Sequence, residues 1–175
     1  MENSHMKKQL HQFFAEDHRR IDKLFNKATE HPVEVDMNYY LQFRTQLLRH
    51  IKMEEKILFK AAKKANHAVM QELLPQYRLE HGALTALMVP PPTPSLIKVI
   101  RYILKTHNMK EEELEGLYDI CESITQGKTQ ELLDQLIDTD EVPLHPPNPA
   151  PIALEAVRRA LKRAGYDFDE IVSIG

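Results

Sequence analysis

The chain is short of several things that usually announce a function. Cys121 is its only cysteine, which excludes an internal disulfide framework, fits a reducing, cytoplasmic setting, and leaves no Cys-His nucleophile pair at local spacing. No apolar run approaches the roughly 18 residues needed to span a bilayer, and the polar start "MENSHMKKQLHQ" lacks the apolar centre of a secretory signal. Charge of one sign is missing too. The 23 basic and 26 acidic residues give a formal charge of -3 without a large block of either sign, so neither a nucleic-acid footprint nor a membrane-binding basic patch is expected. Strand-like alternation between turns is also absent, which argues against a mixed fold.

What remains is helical. Apolar residues recur at helical spacing from about Lys8 to Glu30 (Leu10, Phe13, Phe14, Ile21, Leu24, Phe25), then from Asp36 towards Asn66 (Tyr40, Phe43, Leu47, Ile51, Ile57, Leu58, Ala61). A third segment runs from His67 to Val89, with a kink or short break expected at Pro75. The fourth opens near Ser95, after "PPPTP", and continues through Tyr118 to Cys121. Four amphipathic helices with short connections predict an all-α, up-down-up-down four-helix bundle over residues 8–125. Residues 126–175 form an appendage: a short helix in "TQELLDQLI", a stiff connector with five prolines in "VPLHPPNPAP", and an amphipathic helix in "IALEAVRRALKRAG". That last helix either returns to the bundle or offers a surface to a protein partner or a second copy of the chain.

Nine histidines are present, and their positions matter more than their number. "HIKMEEKILF" at 50–59 places a histidine four residues before one carboxylate and five before another; "HNMKEEELEGLY" at 107–118 repeats the arrangement. Upstream of these, "DHRRIDKLF" at 17–25 aligns with "EHGALTALM" at 80–88, each an acid and a histidine with apolar residues three, six and seven positions beyond. Two similar hairpins thus carry one histidine and then one histidine-carboxylate pair.

His18 and His50 both lie fourteen residues from the bend between their helices, so at about 1.5 Å per residue they reach similar heights when the hairpin closes. A His and a Glu at i and i+4 project from one helix face. His50/Glu54 and His107/Glu111 facing inward would gather imidazoles and carboxylates in an apolar interior, where bare carboxylates cost several kcal/mol or take up protons. Divalent metal removes that difficulty. Two bridging carboxylates with imidazoles around them suit a pair of iron or manganese ions better than zinc, although zinc also accepts such ligands.

In these four stretches, "DHRRIDKLF", "HIKMEEKILF", "EHGAL" and "HNMKEEE", the chain resembles the hemerythrin-like, or HHE cation-binding, family, across about residues 8–125. The resemblance implies a four-helix bundle around a non-haem, usually diiron, centre, in proteins that carry oxygen or respond to oxygen, redox state or iron. It makes His18 the first-helix ligand, His50 and Glu54 the second-helix pair with Glu54 bridging, His81 the third-helix ligand, and His107 with Glu111 the fourth-helix pair. Glu55 and Glu112 compete with Glu54 and Glu111 if the register shifts by one. An oxygen-carrying hemerythrin has a second third-helix histidine four residues before the first, where this chain has Tyr77. Tyr77 is left as a phenolate ligand, a hydrogen-bond donor to metal-bound water, or a space-filler, and more open coordination follows from the missing histidine.

The expected function is a dinuclear iron protein that binds or reacts with oxygen or a related oxidant, in sensing, redox response or iron handling. Alternatives are a metal-stabilised interaction module and a diiron oxidase or peroxidase. His11 is expected at the surface or behind the ligands; His31, His67 and His145 are expected in solvent. Asp17 and Glu80 are expected to point outward, and Phe13, Phe14, Phe25, Phe43, Phe59 and Tyr118 to be core. His5 is given no role.

Overall fold

The computed structural model describes residues 8–175; His5 lies outside them. Among the described residues the protein is all helical, without strands. Helix α1 spans Gln9–Ala28 and α2 Met37–Met53; α2 continues without a loop through a π-helical stretch, Glu54–Leu58, into α3, Phe59–Ala65. Then follow α4 (His67–Leu87), α5 (Pro94–Glu112), α6 (Leu117–Ile124), α7 (Thr129–Ile137), α8 (Pro151–Arg163) and α9 (Phe168–Ser173).

Local chemistry sets these limits. The Asp36 side chain accepts from the backbone N–H groups of Asn38 and Tyr39 and starts α2; Asn66 caps α4 through Val69 N–H. Thr93 caps α5, with Pro94 in the first turn, where its missing N–H is no loss. Of the kink or short break expected at Pro75, the break does not occur: α4 remains helical across it. The break falls elsewhere, inside the segment expected to run unbroken from Ser95 to Cys121. There Glu115 takes a left-handed backbone (φ 61), and the chain resumes as α6 after Gly116. A Cβ at Gly116 would sit 2.6 Å from the Lys110 carbonyl oxygen and 2.7 Å from that of Glu113, so close approach of backbone to backbone reserves this position for glycine.

Helix α1 packs on α2, α3 on α4, α4 on α5, and α5 on α1, with α6 filling in against α1, α3 and α5. Two apolar clusters result. One gathers Ile21, Phe25, Phe43, Leu47, Leu84, Ile100 and Ile103 together with Val157, Leu161, Phe168 and Ile171 of the tail. The other gathers Leu10, Phe14, Met53, Leu58, Phe59, Leu74, Tyr77 and Tyr118 with Leu132 and Leu136. Along each of α1, α2 and α4 the membership changes from one cluster to the other near a histidine, at His18, His50 and His81, and His107 lies between the first-cluster residues of α5 and the second-cluster residues of α6. The polar layer is therefore sandwiched between apolar layers.

The C-terminal helix returns to its own chain. α8 packs along α4 and α9 on α5, burying Ala153, Val157, Ala160 and Leu161. The connector before α8 lies across α2, where Arg44, Arg49 and Lys52 donate to the carbonyls of His145, Thr139 and Asp140. No helix among the described residues is long and apolar enough to cross a membrane.

Candidate metal centre

His18, His50, Glu54, His81, His107 and Glu111 meet in the layer between the two apolar clusters, each at most 3% exposed. Their inward atoms form two groups that share both carboxylates: His18, His50, Glu54 and Glu111 in one, Glu54, His81, His107 and Glu111 in the other, the donor atoms within each group lying within 4.8 Å of one another. In the first half, His50 Nε2 lies 3.4 Å from Glu54 Oε1 and His18 Nε2 lies 3.3 Å from Glu111 Oε2. In the second, His81 Nε2 lies 3.0 Å from Glu54 Oε2 and His107 Nε2 lies 2.9 Å from Glu111 Oε1. Each carboxylate thus turns one oxygen to each half, the arrangement a bridge between two ions requires.

Behind every imidazole stands another carboxylate. Asp17 Oδ2 is 2.8 Å from His50 Nδ1, Glu80 Oε2 2.6 Å from His107 Nδ1, Glu55 Oε1 2.7 Å from His81 Nδ1, and Glu112 Oε1 2.5 Å from His18 Nδ1. Holding a proton on Nδ1 aims the Nε2 lone pair into the centre and raises its basicity. The pattern has an internal two-fold logic. Asp17 and Glu80 brace the later histidine of their own hairpin, whereas Glu55 and Glu112 cross to the other hairpin. The outward placement expected for Asp17 and Glu80 is therefore wrong: Asp17 is 1% and Glu80 0% exposed, because a buried imidazole needs them more than solvent does. Glu55 and Glu112, the one-residue rivals, stand behind histidines while Glu54 and Glu111 face the centre.

The π-helical stretch begins at Glu54, with Phe59 N–H reaching back five residues to the Glu54 carbonyl. It lies where the consecutive Glu54 and Glu55 must serve the centre and the back of His81. On the other hairpin, α5 ends at Glu112, immediately after the equivalent pair. Both helices thus leave regular α geometry at their Glu-Glu step, as functional π-bulges commonly do.

The imidazoles and carboxylates of the centre shift one another's protonation in opposite directions. Burial pulls each of the four imidazole pKa values down, but the carboxylates facing them pull harder, so all four end above the ordinary value. His50, facing Glu54 and Asp17, is pushed up to about 10. Burial pushes Glu54 and Glu111 up, and the surrounding histidines hold both below the usual carboxylate range. Even so, Glu54 Oε2, Glu111 Oε1 and His81 Nε2 are buried without a hydrogen-bond partner. His81 Nε2 and Glu54 Oε2 are close yet misaligned with each other, as donors converging on a common point would be. Buried polar atoms are seldom left so, and the nitrogen and oxygen donor set fits a pair of divalent ions.

Two tyrosines stand in different relations to the centre. The Tyr77 hydroxyl donates to the Lys110 carbonyl at 3.2 Å, and its ring meets His107 edge-on. Tyr118, expected as core, brings its hydroxyl among the inward atoms: 2.6 Å from Glu54 Oε1 and 3.0 Å from Glu111 Oε2. His11 stays outside the centre, its Nδ1 2.7 Å from Asp119 Oδ1; His31, His67 and His145 are exposed. Apolar side chains close the surroundings, with Phe14 edge-on to His50 and Phe59 stacked on His81.

Comparison with known proteins adds no relative: no family model, curated protein or solved structure matches the chain. The protein is thus characterised by its own geometry: the described residues are helical and enclose a buried histidine-glutamate cluster that could hold metal.

Proposed function

We propose that the protein is a hemerythrin-like, non-haem diiron protein, an up-down-up-down four-helix bundle that binds or reacts with oxygen or a related small oxidant. Its task in this reading is sensing, redox response or iron handling. The observation that carries the proposal is the convergence of four imidazoles and two shared carboxylates on two adjoining points, with three of those atoms otherwise unsatisfied.

His18 and His50 would hold one ion and His81 and His107 the other, with Glu54 and Glu111 giving an oxygen to each. When bound, the ion pair supplies electrons to a small oxidant. The chain supplies the rest. Asp17, Glu55, Glu80 and Glu112 fix the tautomer and direction of each imidazole, and Phe14, Met53, Leu58 and Phe59, all fully buried, keep bulk water from the centre. Manganese or zinc would fit the same donors with less redox chemistry or none.

The test is anaerobic addition of ferrous iron to metal-free protein, counting bound metal and recording visible spectra before and after air. Two irons per chain with a new visible band on aeration, both abolished by replacing Glu54 and His107, support the proposal. Repeated turnover with a supplied reductant would move the assignment to an oxidase or peroxidase. Stable binding of two ions with no response to oxidants would instead mark a metal-stabilised interaction module, and no stoichiometric binding would refute the metal reading.

A further inference from the structure

The two halves of the centre present the same donors, two imidazoles and one oxygen from each of two carboxylates, but differ in one further oxygen. In the half built from His18 and His50, the Tyr118 oxygen stands among all four inward atoms: Glu54 Oε1 at 2.6 Å, Glu111 Oε2 at 3.0 Å, His18 Nε2 at 3.1 Å and His50 Nε2 at 3.4 Å. The half built from His81 and His107 has no such oxygen, and the three unsatisfied atoms of the centre all belong to it.

A phenol has one proton to donate. It can satisfy only one of Glu54 and Glu111, which both face it, while the nitrogens of His18 and His50, themselves only 3.0 Å apart, crowd the same oxygen. A cation resolves this crowding, because every one of those atoms, the phenol oxygen included, can turn a lone pair to it. We infer that the Tyr118 oxygen is a ligand of one ion only, the ion held by His18 and His50, and that the two metal positions are therefore unequal. This rests on the metal reading above and deepens it.

The fold delivers this oxygen deliberately. Tyr118 lies on the first turn of α6, which exists as a separate helix because the chain breaks at Glu113–Gly116. Its ring is stacked on Phe14, with centroids 4.9 Å apart and planes at 16°, and edge-on to His11 at 5.9 Å. The side chain is fully buried. A ring clamped on both sides has little freedom to withdraw its hydroxyl when an ion arrives.

The consequence is a division of labour. The first position has two nitrogen and three oxygen donors from the chain, one of them a phenol, a hard set that favours the ferric ion. The second has two nitrogen and two oxygen donors. The position with fewer chain ligands is the one left for an exogenous small oxidant. Metal binding displaces the phenolic proton to solvent, as it displaces protons from other acidic ligands.

The experiment loads the full chain with ferrous iron without air, oxidises it with ferricyanide, one electron passing from each iron to each ferricyanide, and removes excess reagent. Iron content, the visible spectrum and resonance Raman are then recorded for the wild type, Tyr118→Phe and Tyr77→Phe. The expected result is a phenolate-to-ferric charge-transfer band with tyrosinate ring modes in the wild type, unchanged in Tyr77→Phe and lost in a Tyr118→Phe protein that still binds two irons. Two irons without that band, or a band that survives Tyr118→Phe, overturns the inference while leaving the diiron reading intact. One iron in the wild type without the band, and two in Tyr118→Phe, overturns it by showing that the hydroxyl fills the position instead of ligating. Failure of every protein to bind iron overturns both. Should Tyr118→Phe not fold, ring-deuterated tyrosine in Tyr77→Phe decides the matter: an absent isotope shift in the Raman bands refutes a tyrosine ligand.

Discussion

Filling the centre with two divalent ions should expel about four protons. In the metal-free protein, burial lowers the pKa values of His18, His50, His81 and His107 and the facing carboxylates more than restore them, so all four stand above the ordinary value of 6.5. At about pH 6 those raised values favour the charged imidazole, and each charged ring must lose its Nε2 proton to become a ligand. Four imidazolium charges leave and two divalent ions bring the same charge in, so the buried layer keeps its electrostatic balance. Titration of metal-free Tyr118→Phe with manganese(II), which removes the phenol from the count, followed by an indicator or by calorimetry in two buffers of different ionisation heat, should give about two protons per ion. Apparent affinity per ion should then rise about a hundredfold per pH unit, tenfold for each proton. The sign for stability is the reverse. A raised imidazole pKa stabilises the metal-free fold fully below about 6.5, and the contribution disappears as pH rises through the folded value, about 10 for His50. Release close to zero at pH 6 would show neutral histidines and refute the argument.

Other expectations follow from the same geometry. Asp17→Asn and Glu80→Gln should each weaken metal binding by about 10–100-fold, read by chelator competition; unchanged affinity would mean that the bracing carboxylates only neutralise charge. Burial raises the Glu80 carboxyl, but hydrogen bonds from His107, Lys110 and Gln76 hold it at about 2 against an ordinary 4.5. It should contribute about 3 kcal/mol to the metal-free fold above pH 4.5, lost as pH falls through about 2, and urea denaturation of Glu80→Gln should show that much less acid sensitivity. Gly116→Ala, whose Cβ would press on the Lys110 and Glu113 carbonyls, should destabilise the protein by about 1–3 kcal/mol, seen as a lower melting temperature. A melt identical to wild type would show that the α5–α6 turn yields without cost.

The helices were legible because their apolar spacing, the Asp36 cap and the prolines agree with one another. The six inward residues were legible through repetition: no single H-x-x-x-E specifies anything, but two copies on similar hairpins do. The bracing role of Asp17, Glu55, Glu80 and Glu112 was not legible, because these residues adjoin the inward ones in sequence and so read as an outward face or as rivals for the same position. Their signal was present in the doubled acid-His and Glu-Glu dipeptides. Asp17 sits one helix away from the histidine it braces, and only the assembled tertiary structure joins them. Tyr118 was hidden for another reason. Helical spacing places it with the core of an unbroken segment, and the left-handed Glu115 that breaks that segment is a non-glycine residue which propensity does not flag.

Glu80 faces two ways. Its carboxylate takes the His107 ring on the inner side, while Lys110 and the hydroxyl of Tyr166, the latter at 2.9 Å, approach from the outer side. Nearby, Gln76 donates both to Glu80 and to the Ala164 carbonyl, so the turn joining α8 to α9 is moored to the residue that steadies the centre. The tail is therefore tied by hydrogen bonds to the carboxylate that backs His107, as well as covering the bundle. A change in the charge of His107 should alter the grip on Tyr166 two hydrogen bonds away. By thermodynamic reciprocity, anything that draws the tail off its seat loosens the hold on whatever His107 binds.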